Sequence, residues 1–129
     1  MSNISSFIKE NTWLKRGYGL DFGWGNGYVI LPRGHPCFGM DYTTIYDNYD
    51  INCESELTYA GSAEGCAWPE LEEKYRNNDY WIIGFDTAHR GDNIISWPKE
   101  RVQAVADKLA FRFLEIWIQQ ERKKDTNYS

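Results

Sequence analysis

A chain of 129 residues, 42% of them hydrophobic and 16% aromatic, fits one domain with enough core to fold without disulfide or metal staples. Its net charge of −5 excludes a general nucleic-acid binder, which needs basic surface to displace the counterions of phosphate. No run of 18 apolar residues occurs, residues 1–10 lack the basic-then-apolar plan of a secretory leader, and three widely spaced cysteines (Cys37, Cys53, Cys66) suit a reducing compartment; the expected location is cytoplasmic, with no membrane span.

Residues 2–15 are expected to form a short helix capped by Ser2 or Asn3, with Ile4, Phe7, Ile8 and Leu14 facing inward. Tyr18, Leu20, Phe22 and Trp24 then alternate with small or polar residues, the period of a half-buried strand. Asn26-Gly27 follows, and then Tyr28-Val29-Ile30-Leu31, so residues 17–32 read as a hairpin turning at Asn-Gly. Residues 33–56 read as irregular, punctuated by Gly34, Pro36 and Gly39. Leu57-Thr58-Tyr59-Ala60 predicts a strand, Pro69 with Glu70, Glu72 and Glu73 opens a short helix ended by Asn77-Asn78-Asp79, and Tyr80-Trp81-Ile82-Ile83-Gly84-Phe85 predicts a central buried strand.

Residues 98–123 predict a long helix whose inward stripe is Val102, Val105, Ala106, Leu109, Phe113, Ile116 and Trp117. Phe111, Leu114 and Ile118 form a second apolar row, so residues 109–118 are expected to join copies of the chain into a homo-oligomer. Residues 124–129 read as a frayed tail. The whole, residues 1–129, is expected to be a single α+β domain: an antiparallel sheet of about four strands, an N-terminal hairpin, and the long C-terminal helix packed on one face.

Two segments carry chemistry: Gly34-His35-Pro36-Cys37-Phe38-Gly39-Met40-Asp41-Tyr42 and Gly84-Phe85-Asp86-Thr87-Ala88-His89-Arg90-Gly91-Asp92-Asn93. They hold both histidines, each with aspartates nearby, and the second begins where the apolar strand stops. With Leu57-Thr58-Tyr59 between them, they resemble a family of small phage and prophage proteins that share Gly-His-Pro-x-Phe-Gly, Leu-Thr-aromatic and Trp-Ile-Ile-Gly-Phe-Asp-x-x-His-x-Gly-Asp. The likeness runs from about residue 27 to 92. The chain departs from it at Cys53-Glu54-Ser55-Glu56, where the family carries His-Gly-Gly. The resemblance implies phage origin, and with it a counter-defence role in the host cell.

On the residues themselves, the expected ligand-binding set is His35, Asp41, Tyr42, Tyr59, Asp86, His89, Arg90, Asp92 and Asn93, lining one concavity. Arg90 suits an anionic group and Trp24, Tyr42, Tyr59 and Trp97 suit a stacked base, so the leading expectation is a protein that sequesters a small anionic, nucleotide-type ligand, as a cyclic-nucleotide sponge does. The alternatives are a His/Asp hydrolase of a phosphorylated substrate, using His89, Asp86 and His35, and an anti-CRISPR-like inhibitor that binds a defence complex directly through acidic surface. No cofactor or metal is expected: His35, His89, Asp86 and Asp92 are suitable ligand types, but neither Cys-x-x-Cys nor His-Glu-x-x-His is present. Cys37, two residues from His35, is expected to be a buried thiol rather than a nucleophile.

Overall fold

Among the described residues, four antiparallel strands form one sheet in the order β1-β2-β4-β3, where β1 is Ser5–Glu10, β2 Gly25–Pro32, β3 Leu57–Ser62 and β4 Tyr80–Phe85. Among the described residues there are two α-helices, α1 at Tyr42–Asn48 and α2 at Lys99–Asn127. The computed structural model describes residues 4–11, 22–89 and 91–127, with side chains to position 124. The α+β class, the four-stranded antiparallel sheet and the long C-terminal helix agree with the sequence expectation.

Strands β2 and β4 are the two inner strands, and both of their faces are covered. Val29, Leu31, Ile83 and Phe85 pack under α2, whose stripe of Val102, Val105, Ala106, Leu109, Phe113, Ile116 and Trp117 is buried throughout. On the other face Tyr28, Ile30 and Ile82 lie under Ala63, Leu71 and Trp68 from the segment that joins β3 to β4. This explains why the apolar run of β4 is continuous rather than alternating. Each large side chain so buried contributes roughly 1.5–3 kcal/mol.

The N-terminal antiparallel pair exists, but its strands and turn differ from expectation. Within residues 4–11, Ile4 and Ile8 pack toward the helix-side core while Phe7 stacks on Tyr28 across the other face, 5.0 Å between ring centres. Apolar residues on alternate sides make a strand, so the expected helix over residues 2–15 is corrected to strand β1; its proposed caps and Leu14 lie outside the described residues. β1 pairs with β2 from Ser5 opposite Ile30 to Glu10 opposite Gly25. The expected first strand of the 17–32 hairpin lies partly outside the described residues (Tyr18, Leu20), and residues 22–24 are not strand.

Asn26-Gly27 is not the turn; both residues lie inside β2. Gly27 sits where α2 crosses the sheet, and any Cβ there would run into the Phe85 ring and the Ala106 methyl. Its missing side chain serves a close approach, not a positive φ.

Two further corrections concern short elements. Residues 33–56 hold helix α1, capped by Asp41, whose Oδ1 accepts the Thr44 N–H at 2.7 Å. The helix expected from Pro69 is only a single 3-10 turn at Glu73–Tyr75. At the other end, α2 continues through Asn127, so residues 124–127 are helical rather than frayed, and residues 128–129 lie outside the described set. No helix among the described residues is long and apolar enough to cross a membrane.

Candidate functional site

The end of the sheet where β2 begins and β4 stops is held by Thr87, which is fully buried. Its hydroxyl donates to the Gly25 carbonyl at 2.6 Å, and its own carbonyl accepts the Gly23 N–H at 2.6 Å. The Trp24 N–H donates to the Trp97 carbonyl at 2.8 Å. These bonds fix both ends of the segment that carries His89.

His89 lies between two carboxylates. Its Nδ1 is 3.1 Å from Asp92 Oδ2 and its Nε2 is 3.3 Å from Asp86 Oδ1, while its backbone N–H donates to Asp92 Oδ2 at 3.0 Å. Asn93 turns the chain into α2 by accepting the N–H groups of Ile95 and Ser96, each at 2.9 Å. Trp97 is buried against Phe85, and the Arg101 guanidinium lies 3.9 Å above the indole.

The segment preceding β3 closes this site. Ser55 Oγ donates to the Asp86 carbonyl at 3.1 Å, and Glu54 pairs with both Arg101 (3.3 Å) and Lys108 (3.6 Å). A concavity of about 250 Å³ results, lined by Glu54, Ser55, Glu56, His89, Asp92, Trp97 and Arg101. Glu56 is also a wall of a neighbouring groove of about 480 Å³, formed with Tyr42, Thr43, Tyr46, Ile51, Cys53 and Leu57. Tyr42 and Tyr46, one helical turn apart on α1, are each 39% exposed, and the Tyr46 hydroxyl accepts the Leu57 N–H at 2.8 Å.

The expected single concavity is therefore divided. Asp86, His89, Asp92 and Asn93 do come together. Tyr42 lines the adjoining groove, while Asp41 caps α1 and the Thr44 N–H holds its carboxyl below the usual carboxylate range. His35 is elsewhere: it follows Pro32, which pairs with Tyr80 at the start of β4, whereas His89 follows Phe85 at its end. His35 touches Phe113 and the His89 concavity touches Arg101, twelve residues or roughly 18 Å apart along α2. Tyr59 lies on the far face of the sheet, against Tyr28 and Trp68, where burial raises its phenol. Arg90 lies outside the described residues.

His35 is 4% exposed and structural in its bonding. The Cys37 N–H donates to its Nδ1 at 2.9 Å, which leaves Nε2–H to donate to the Phe113 carbonyl at 2.8 Å. Its ring stands edge-on to Phe113 and Trp117, and burial lowers its pKa. Cys37 beside it is buried and its thiol is pushed up to about 12.

The stacking surface expected from Trp24, Tyr42, Tyr59 and Trp97 is not assembled. Trp97 is 6% exposed, with Phe85 tilted against it at 6.1 Å and Arg101 over its ring, and Lys99 lies 5.5 Å from the Trp24 ring. Sequence reasoning missed Tyr46, Glu54, Glu56 and Arg101. The i, i+4 spacings of Tyr42 with Tyr46 and of Trp97 with Arg101 were the available signals.

Chemically, both ring nitrogens of His89 are already taken up by carboxylates. A general base needs a free lone pair within reach of substrate, and here each ring nitrogen faces a carboxylate. Among the described residues no group of three or more His, Cys, Asp or Glu side chains is placed to hold a metal ion. Comparison with protein-family models, with curated proteins and with solved structures finds no match to this chain.

Proposed function

We propose that this protein acts by binding, and that its recognition surface is the ridge of residues 52–56 with the groove on either side of it. The resemblance to small phage proteins supplies the setting, a counter-defence factor in the host cytoplasm. The partner is a basic segment of a defence protein. One observation carries the reading: Glu56 is a shared wall of the tyrosine groove and the His89 concavity, so the exposed Tyr42 and Tyr46 on one side adjoin Glu54 and Asp92 on the other. Tyrosine with an acidic rim is a composition that interfaces favour and that attracts basic partners.

Capture of an anionic nucleotide is the second reading. Arg101 and Lys108 are both engaged by Glu54, so an anion would depend on Arg90. Hydrolysis by His89, Asp86 and His35 is a weaker reading again, because His35 lies at the opposite end of β4.

The test is calorimetric titration of the purified chain against purified defence complexes and against a panel of cyclic and linear nucleotides. The proposal expects a salt-sensitive complex with a defence protein, weakened at least about tenfold by Glu56→Lys or Tyr46→Ala, with no nucleotide response. A nucleotide released intact from the denatured protein, as purified from an infected defence-active host, overturns it in favour of sequestration. A nucleotide converted to product overturns it in favour of hydrolysis.

A further inference from the structure

At the centre of residues 52–56 is Glu54, and its two carboxylate oxygens are unequally engaged. Oε2 accepts from Arg101 Nε at 3.4 Å and Nη2 at 3.3 Å. Arg101 is itself fixed, over the Trp97 ring and by a 2.7 Å bond from Nη1 to the Ser96 carbonyl. Oε1 pairs with Lys108 Nζ at 3.6 Å, and the Lys108 side chain is 75% exposed. Ile51 and Ser55 on either side of Glu54 are buried, and Ser55 is bonded to the Asp86 carbonyl, so the carboxylate is presented on anchored backbone. A third concavity, of about 210 Å³, opens beside it, lined by Asn52, Cys53, Glu54, Val105, Lys108 and Leu109. Val105 and Leu109 are one helical turn apart in the buried stripe of α2 and give it an apolar wall.

We infer that this concavity receives a lysine side chain of the partner, and that Lys108 is the internal cation it displaces. The inference rests on the reading of residues 52–56 as a surface for a basic segment. An apolar wall ending at a carboxylate matches a side chain that is aliphatic along its stem and charged at its tip. An ammonium suits the remaining oxygen better than a guanidinium does, because a guanidinium binds best across both oxygens of a carboxylate and Arg101 already holds one of them. The exchange is close to even. The pair that breaks is a single long contact from a side chain mostly in water, and one of the same kind replaces it. Arg101 stays, since it has the indole and the Ser96 carbonyl to hold it as well. Glu54 is thereby the residue that selects for lysine in the partner.

The test is a nuclear magnetic resonance titration of the full chain with tetralysine at low salt, read at the amides of Cys53, Glu54, Lys108 and Leu109. The expected result is a saturable shift at all of them, lost in Glu54→Gln, a variant of equal helix content by circular dichroism. Lys108→Ala vacates the position and should tighten the site about two- to fivefold, the worth of an exposed pair. Lys124→Ala removes the same charge further along α2 and should leave the affinity unchanged. The inference is overturned by shifts that spare these amides, by shifts that survive Glu54→Gln, by Lys124→Ala acting as strongly as Lys108→Ala, or by tetraarginine binding this site more tightly than tetralysine. A defence complex that binds with these amides unperturbed also overturns it and leaves the wider reading of the surface intact. A tetralysine site of this description in a chain that binds no defence complex supports the inference and overturns that wider reading.

Discussion

His35 Nε2 donates to the main-chain carbonyl of Phe113, 2.8 Å away across 78 residues of chain. The bond ties the turn that follows β2 to the middle of α2, and the Cys37 N–H completes the imidazole's partners from the other side. Burial holds the folded-state pKa of His35 below 6.5, so the unfolded chain binds this proton more readily than the folded one. Stability from this group is therefore complete above the unfolded value near 6.5 and is lost as pH falls toward the lowered folded-state value. Urea midpoints measured through that window should fall for the wild type, and His35→Gln should flatten that part of the profile. The variant should also lose about 2–4 kcal/mol at neutral pH, from two orphaned backbone groups and imperfect packing.

Gly27→Ala should destabilise the fold by roughly 1–3 kcal/mol, because its methyl must displace the Phe85 ring or lift α2 at Ala106. Ala106→Gly in the same chain should recover part of the loss. Thermal or urea unfolding of the two single variants and the double variant, treated as a cycle, checks the claim. Strict additivity would mean that the two positions do not share one contact.

Thr87→Val keeps the shape of a fully buried side chain and removes the donor to the Gly25 carbonyl. A cost of about 1–3 kcal/mol follows from leaving that acceptor unpaired. The more specific readout is hydrogen exchange: protection should fall at Gly23 and Trp24, whose N–H groups bond to the segment that Thr87 anchors, more than in β3.

Cys37 should resist alkylation. With its thiol pushed up to about 12 and its side chain buried, it carries almost no thiolate at neutral pH. Iodoacetamide applied to the native protein near pH ~7.5 should leave Cys37 unmodified by peptide mass spectrometry, and label it fully once denaturant is added. Rapid native labelling at Cys37 would show that the turn at residues 33–39 opens.

The parts legible in the sequence are those where one contiguous segment meets one environment. Strand β4 is apolar throughout because both its faces are covered, and the inward stripe of α2 follows helical period across four turns. Asn26-Gly27 misled because its glycine answers to Phe85 and Ala106, which are distant in sequence, and not to a local turn. Strand β1 was hidden by brevity: Ile4, Phe7 and Ile8 fit a helical spacing, and only the partner strand decides for alternation. Helix α1 was passed over as polar and short, although Asp41 three residues before Thr44 is a capping arrangement. At the site, the cluster of Asp86, His89 and Asp92 was legible because loop neighbours bond locally. The separation of His35 from it was not, since that depends on which end of β4 each loop leaves.

The hydroxyl of Tyr46 has a consequence for how the protein survives at high concentration. Strand β3 is an outer strand of the sheet, and the free rim of such a strand is a template on which other chains can add and grow into fibrils. At Leu57 that template is already occupied: the amide hydrogen points at a phenol oxygen of the same chain, and α1 stands across the approach. The phenol oxygen thus stands where a neighbouring strand's carbonyl would bond, so that amide is closed to an incoming chain.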